Sequence, residues 1–373
     1  MGSSGIDAKR LIKKIPWLFI GPFFYLLFRL SFLWPAFTEN VYSRGIYRVL
    51  SQGISTITGL LPFSLGEILL YAFILFVATY LVFTIIKSAA ARKNWWFELI
   101  NKVLGLLCVA SVIYALFVGL WGFNYSRETL GSILRLDTSP SKVSELYSTC
   151  EALIDRAKGL RETVPEDAGG VFSPDFTKED MMKKAPYYYN KAAAATGNGL
   201  LSGSYGRAKP VLYSTGLSYA NIGGIFFPFT GEANLNADAP MLYFPSSTLH
   251  EAAHQIGFSR EDEANFLAYY VSSYSEDTSV EYSGTMLAVS ESMHKLYSED
   301  RDLYFELRSA YSESMDRDLK SNALYWMAFD TPIKETSRAV NNTFLQANMQ
   351  HDGVKSYGRM VDLLIALWRS GGL

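Results

Sequence analysis

His250 and His254 stand four residues apart, with Glu251 next to the first, in the run Leu249-His250-Glu251-Ala252-Ala253-His254-Gln255. Positions i and i+4 of an α-helix share a face, so both imidazoles can reach one metal ion while Glu251 sits beside it as a general base. Two histidines alone make a weak site, and a third ligand is required. The segment Ser259-Arg260-Glu261-Asp262-Glu263-Ala264-Asn265-Phe266 offers candidates. Gly257 can end the first helix in a left-handed conformation, and Ser259 with Asp262 three residues on can cap a second. The chain then doubles back. A carboxylate from the first turn of that second helix, Glu261 or Glu263, would complete the His, His, Glu set that holds a catalytic Zn2+ with one position open for water.

The run E-x-x-A-N-x-x-A from Glu261 to Ala268 resembles the E-x-x-A-D motif of gluzincin-type metallopeptidases, including the membrane-embedded CAAX-prenyl and beta-lactam-sensor families. In those families the first Glu binds zinc. The resemblance therefore implies metal ligands His250, His254 and Glu261, with Glu251 catalytic and Glu263 the rival third ligand. Asn265 stands where the motif has Asp. It can accept a hydrogen bond from an imidazole N–H and orient a ligand, but it brings no charge.

Stepping outward from this centre, the elements that must carry it begin with a membrane anchor. The chain has 373 residues, 49% hydrophobic and 15% aromatic, with its apolar residues concentrated in the first third. Residues 16–36, 68–86 and 103–123 each approach the roughly 20 apolar residues that a spanning helix needs. The first carries Arg29, which must snorkel or pair with a partner such as Glu67. Trp17, Trp34, Trp95, Trp96 and Trp121 lie near the ends as interfacial anchors. Lys9, Arg10, Lys13 and Lys14 precede the first run and Lys87, Arg92 and Lys93 separate the second from the third, whereas the first loop has only Arg44 and Arg48. The positive-inside rule puts the N-terminus in the cytoplasm, and three crossings put everything after about Phe123 outside. The first run lacks a small-residue cleavage site and reads as a retained anchor. Cys108 and Cys150 fall on separate elements and predict no disulfide. A formal net charge of -2 gives no basis for a nucleic-acid partner.

The expected organisation is thus a membrane domain of three transmembrane helices over 1–125 and an extracytoplasmic, zincin-like domain over 126–373, mostly helical α+β with a small sheet. Apolar residues at three- and four-residue steps predict a helix over Pro140–Val164. Thr177 with Asp180 predicts the start of another, bent or interrupted at Pro186. Tyr187, Tyr188 and Tyr189 read as packing surface. Lys209–Tyr213, Gly224–Phe229 and Met241–Phe244 are candidate strands, the second at a sheet edge because Pro228 cannot donate to a ladder. An edge strand beside the active-site helix can hold an extended peptide through backbone groups. Thr230–Asn236 reads as a polar turn, with Glu232 a lesser candidate for metal or substrate contact. Ser337–Met349 and Ser356–Trp368 show helical periodicity. Tyr357, Arg359, His294 and His351 are the open candidates for an oxyanion donor.

Over nearly its full length the chain resembles a bacterial family catalogued as domain of unknown function 3810, through KPVLYS, GIFFPFTGEANLN, HEAAHQIGFSREDEANFLAY and DGVKSYGRMVDLLIAL. That resemblance implies a membrane-anchored zincin-like domain and no substrate. The expected activity is zinc-dependent hydrolysis of a peptide or protein substrate in the cell envelope, by a multi-pass cell-membrane protein. The rival expectations are a non-catalytic zinc-bearing sensor or binding module, and a zinc hydrolase of a cell-wall amide.

Overall fold

The computed structural model describes residues 10–90, 95–350, 353 and 359–373. Its helices and strands run in order as α1 (Arg10–Ser31), a π-helical segment (Thr38–Tyr47), α2 (Arg48–Gly59), α3 (Leu65–Ala90), α4 (Trp95–Leu120), α5 (Leu130–Leu134), α6 (Val143–Arg161), α7 (Lys178–Thr196), β1 (Lys209–Pro210), α8 (Ser214–Tyr219), β2 (Gly224–Phe227), β3 (Glu232–Leu235), α9 (Phe244–Ile256), α10 (Glu261–Ser272), α11 (Thr278–Glu299), α12 (Arg301–Arg308), α13 (Glu313–Met327), α14 (Pro332–Ala347) and α15 (Met360–Arg369). They form two units, one of 1–47 with 65–127 and one of 48–64 with 128–373.

The first unit holds the three helices long and apolar enough to cross a bilayer, α1, α3 and α4. Only 6% of the most apolar window of α3 is buried in the protein, so its side chains face outward as lipid contact requires. These helices depart from the predicted boundaries: α1 starts earlier and stops at Ser31, because the Trp34-Pro35 step starts a new turn. Small residues let α1 and α4 approach closely, with the Gly21 amide donating to Ser111 Oγ at 2.7 Å. Beyond the spans, buried Glu39 accepts a two-pronged hydrogen bond from Arg127 at 2.7 and 2.8 Å and a third from Arg44 at 2.8 Å. This arrangement satisfies a carboxylate that would otherwise be costly to bury.

The second unit is mostly helical around a three-stranded sheet of order β1-β3-β2, with β1 parallel and β2 antiparallel to the central β3. The stretch predicted as a polar turn is therefore the central strand. Its polar side chains are satisfied internally, which removed the apolar alternation that marks a strand. Glu232 is one of them, and its burial answers its candidacy as a metal or substrate contact. Its Oε1 lies 2.5 Å from Lys209 Nζ and its Oε2 accepts from Thr230 Oγ1 at 2.7 Å. Lys209 Nζ also donates to the carbonyls of Thr58 and Phe63 at 2.5 and 3.2 Å. Met241–Tyr243 is not a strand but the turn that leads into α9.

Of the two outcomes expected at Pro186, the interruption is corrected: α7 continues through it to Thr196. The proline takes away the N–H that would bond the Met182 carbonyl, and the Ala208 amide supplies that bond instead at 3.1 Å. The polar, Ser/Thr-rich 48–59, in the connection between the first two apolar runs, forms helix α2 and belongs to the second unit. Gly206 is what admits it, since a Cβ there would collide with the Ser55 carbonyl.

The buried Lys209–Glu232 pair yields a stability test. Lys209→Met removes the buried cation facing the Glu232 carboxylate and is expected to cost about 3–5 kcal/mol, whereas Lys209→Met with Glu232→Leu recovers most of that loss. Denaturant unfolding of the two variants checks this, and a double variant no more stable than the single would refute the pairing as the cause.

Candidate metal centre

α9 is the helix about which the second unit packs: it touches α2, α7, α10, α11, β2 and β3. Gly257 ends it in the left-handed region at φ 110°, with its amide bonded to the Ala253 and His254 carbonyls. Four residues later α10 begins, carrying Glu261, Asp262 and Glu263 in its first turn. The reversal brings α10 back against α9.

The result is a cluster of His250, His254 and Glu261, each offering one atom within 4.8 Å of the others. His254 Nε2 lies 3.1 Å from His250 Nε2, and Glu261 Oε2 lies 3.2 and 3.6 Å from the two ring nitrogens. The opposite ring nitrogens are committed elsewhere. His254 Nδ1 donates to the Phe258 carbonyl at 2.7 Å, and His250 Nδ1 lies 2.7 Å from Asn265 Oδ1. A carbonyl oxygen can only accept, so each Nδ1 carries the proton and each Nε2 turns a lone pair inward. Two lone pairs and a carboxylate thus face one another. Around a tetrahedral ion with bonds of about 2.1 Å, ligand atoms stand about 3.4 Å apart, so these residues fit such an ion.

Without a metal, a proton answers the same need. Burial opposes a charge on His254, but the Glu261 carboxylate and its hydrogen bond outweigh that and push the imidazole up to about 9. Burial alone would raise Glu261, yet the facing charge of His254 and hydrogen bonds from both histidines hold it well below the usual carboxylate range. Glu251 is raised, chiefly by burial, with His250 and His254 partly offsetting it. Its Oε2 is a buried atom with no hydrogen-bond partner among the described residues.

Glu263 takes no part in the cluster. Its Oε1 accepts from the Leu130 amide at the start of α5 and from Arg260, at 2.7 and 2.8 Å. Glu261 is the carboxylate that reaches the histidines, as the motif resemblance implies. Of the oxyanion candidates, Arg359 lies 3.3 Å from Asp262 Oδ2. His294 is exposed and lines a cavity of about 330 Å3, with Tyr243, Tyr304 and Arg308, whose lining contains none of the cluster residues. Tyr357 and His351 lie outside the described residues.

Other groups that shape the site carry little or no local signal. Tyr189, from the run read as packing surface, donates its hydroxyl to the Leu249 carbonyl at 2.8 Å. Ser51 Oγ donates to the Gln255 carbonyl at 2.6 Å, and Gln255 Nε2 to the Gly231 carbonyl at 2.8 Å. Glu291 on α11 is pushed up to about 7 by burial, against the charge of His250. Gly224 matters most. A Cβ there would stand 2.6 Å from Glu251 Cγ and 2.7 Å from its Oε1. The Asn236 amide bonds the Gly223 carbonyl, so in the antiparallel register the next residue, Gly224, directs its own N–H and C=O away from β3. The glycine pair in Gly223-Gly224-Ile225 was the available sign that backbone comes close to something here.

Comparison with known proteins gives one match. A family model described as "Protein of unknown function (DUF3810)" matches residues 42–365. No curated protein and no solved structure matches. The match spans both units and includes His250, His254 and Glu261, and the chain belongs to the DUF3810 family.

Proposed function

We propose that the chain is a membrane-anchored, zinc-dependent metallopeptidase that hydrolyses peptide bonds of a substrate in the cell envelope. The observation that carries this reading is the inward convergence of two imidazole lone pairs and a carboxylate, beside a buried Glu251 oxygen that no group engages among the described residues. His250 Nε2, His254 Nε2 and Glu261 Oε2 would hold the ion. No fourth His, Cys, Asp or Glu joins them among the described residues, which suits a catalytic site better than a closed structural one. Bound zinc polarises a carbonyl oxygen and lowers the pKa of water towards about 7.

The remaining work falls to protein groups. Glu251 takes a proton from the attacking water and delivers it to the leaving amine, a role suited to a carboxylate whose burial raises its proton affinity. Asn265 and the Phe258 carbonyl hold the ligand imidazoles in one tautomer. Gly224, at the sheet edge against Glu251, offers its backbone N–H and C=O to an extended peptide. The lack of a Cβ leaves room for the Glu251 carboxylate there.

Sidedness has support of its own. The two pieces of the second unit, 48–64 and 128–373, are separated by α3 and α4, an even number of crossings, so both lie on one face of the bilayer. With a cytoplasmic N-terminus and α1 as one crossing, that face is extracytoplasmic.

The purified full chain is expected to carry one zinc per molecule. His254→Ala and Glu261→Ala lose it, and Glu263→Ala keeps it while unfolding at lower temperature because the α5 amide loses its acceptor. A folded parent without stoichiometric zinc overturns the reading and favours a binding module. Glu251→Gln is expected to retain zinc but to lose all turnover of a mixed peptide library. Gly224→Ala keeps zinc and lowers turnover by displacing the carboxylate, and a Glu251→Gln protein cleaving at the parental rate sinks the mechanism.

The metal and a proton compete for His254, which fixes a pH dependence. In the metal-free chain the raised His254 contributes stability that is full below the unfolded value of 6.5 and lost as pH climbs to about 9. Melting temperature should fall across that window, and zinc affinity should rise across it. Glu261→Gln should flatten the decline, and a decline that survives this substitution assigns it to other groups.

A further inference from the structure

The second unit also displays an apolar surface that its own core does not use. α13 buries only Met315 and Asp318, both near its start, and α14 buries only Leu345. Leu324 and Met327 at the end of α13 are 57% and 69% exposed, and Ile333, Val340 and Phe344 on α14 are 54%, 65% and 41% exposed. At about 100° per residue, the three α14 residues fall within an arc of about 40°. They form a stripe, not a scatter. Glu335 and Arg338 lie outside that arc, so the helix is amphipathic with its apolar side outward. The hairpin is fixed to the unit, with Tyr325 Oη 2.6 Å from Ser218 Oγ on α8 and Tyr219 packed edge-on against Phe329 at 5.1 Å.

We propose that the α13–α14 hairpin rests this stripe in the headgroup and upper acyl layer of the bilayer that α1, α3 and α4 enter. The proposal rests on the membrane-anchored reading of those helices. The occupant follows from connectivity. The chain passes between the two units three times, at Tyr47–Arg48, Ser64–Leu65 and Arg127–Glu128. A bilayer crossed by the first unit is therefore tethered within reach of the second, at an effective concentration that a dissolved partner does not match. The composition agrees with a lipid surface. α14 carries two basic residues, Lys334 and Arg338, against one acidic, Glu335, with Lys334 also paired to Asp330 in the turn before it at 3.1 Å.

Spin labels on the full chain in lipid nanodiscs test this. Cys108→Ala leaves Cys150, which is fully buried, as the one native thiol. Single cysteines are then placed at Met327, Ile333 and Val340, with Leu75 on α3, itself 69% exposed, as the lipid reference and Glu335 as the aqueous one. Relaxation by oxygen, which concentrates in lipid, is compared with relaxation by a water-soluble nickel chelate. The oxygen-to-nickel ratio at Ile333 and Val340 is expected to exceed that at Glu335 several-fold and to approach that at Leu75. A water-like ratio at the hairpin with a lipid-like one at Leu75 overturns the inference and leaves the anchor standing. A water-like ratio at Leu75 overturns the anchor itself. Protection from both reagents at the hairpin overturns the lipid assignment in favour of a protein cover, a second copy included.

Discussion

Three hydrogen-bond acceptors pointed at one another in a buried place are unstable unless something positive lies between them, and the second unit is arranged around that constraint. His250 and His254 are each locked from behind through Nδ1, so they cannot relieve the conflict by turning away. The Phe258 carbonyl and Asn265 set the tautomers, and Tyr189 and Ser51 bind carbonyls of the helix that carries both histidines. A proton can fill the gap in part, which is why the imidazole of His254 holds one so tightly. A divalent ion answers the demand more completely, because it satisfies all three atoms at once.

The sheet serves the same centre by a different route. β2 lies at its edge with a glycine where any side chain would strike Glu251. That puts the Glu251 carboxylate and a stretch of outward-directed backbone side by side. β3 behind it is polar yet fully buried, and it is steadied by Lys209 and Thr230 on Glu232. A strand built this way resists sliding, because a one-residue shift would bury charges without partners.

What could be read from the sequence was what depends on short spacing. His250 and His254 share a helix face, Gly257 breaks the chain, and Glu261 follows within one turn of the next helix. The three apolar runs were equally plain, since length and hydropathy are local properties. What failed depended on distant groups. Pro186 stays inside α7 because Ala208, more than twenty residues on, serves the orphaned Met182 carbonyl. The 232–235 strand hides because Lys209 and Thr58 neutralise what looks like turn chemistry. Segment 48–59 drew no assignment, because its serines and threonines bond to residues more than 150 positions away. The nearness of Gly224 to Glu251 likewise follows from the sheet's register, which no local window contains.

The placement of α2 bears on how this protein can be inherited. Gln255, Thr230, Gly206 and Lys209 all bond to residues between Ser51 and Phe63, a segment that lies between two membrane-length helices in the chain. The 128–373 portion is therefore not a cassette that recombination could lift out by a cut near residue 128. Such a graft would leave Lys209 without two of its carbonyl acceptors and α9 without the Ser51 contact. The two units must descend together as one indivisible gene, and ribosomes must deliver 48–64 long before the residues that complete its fold.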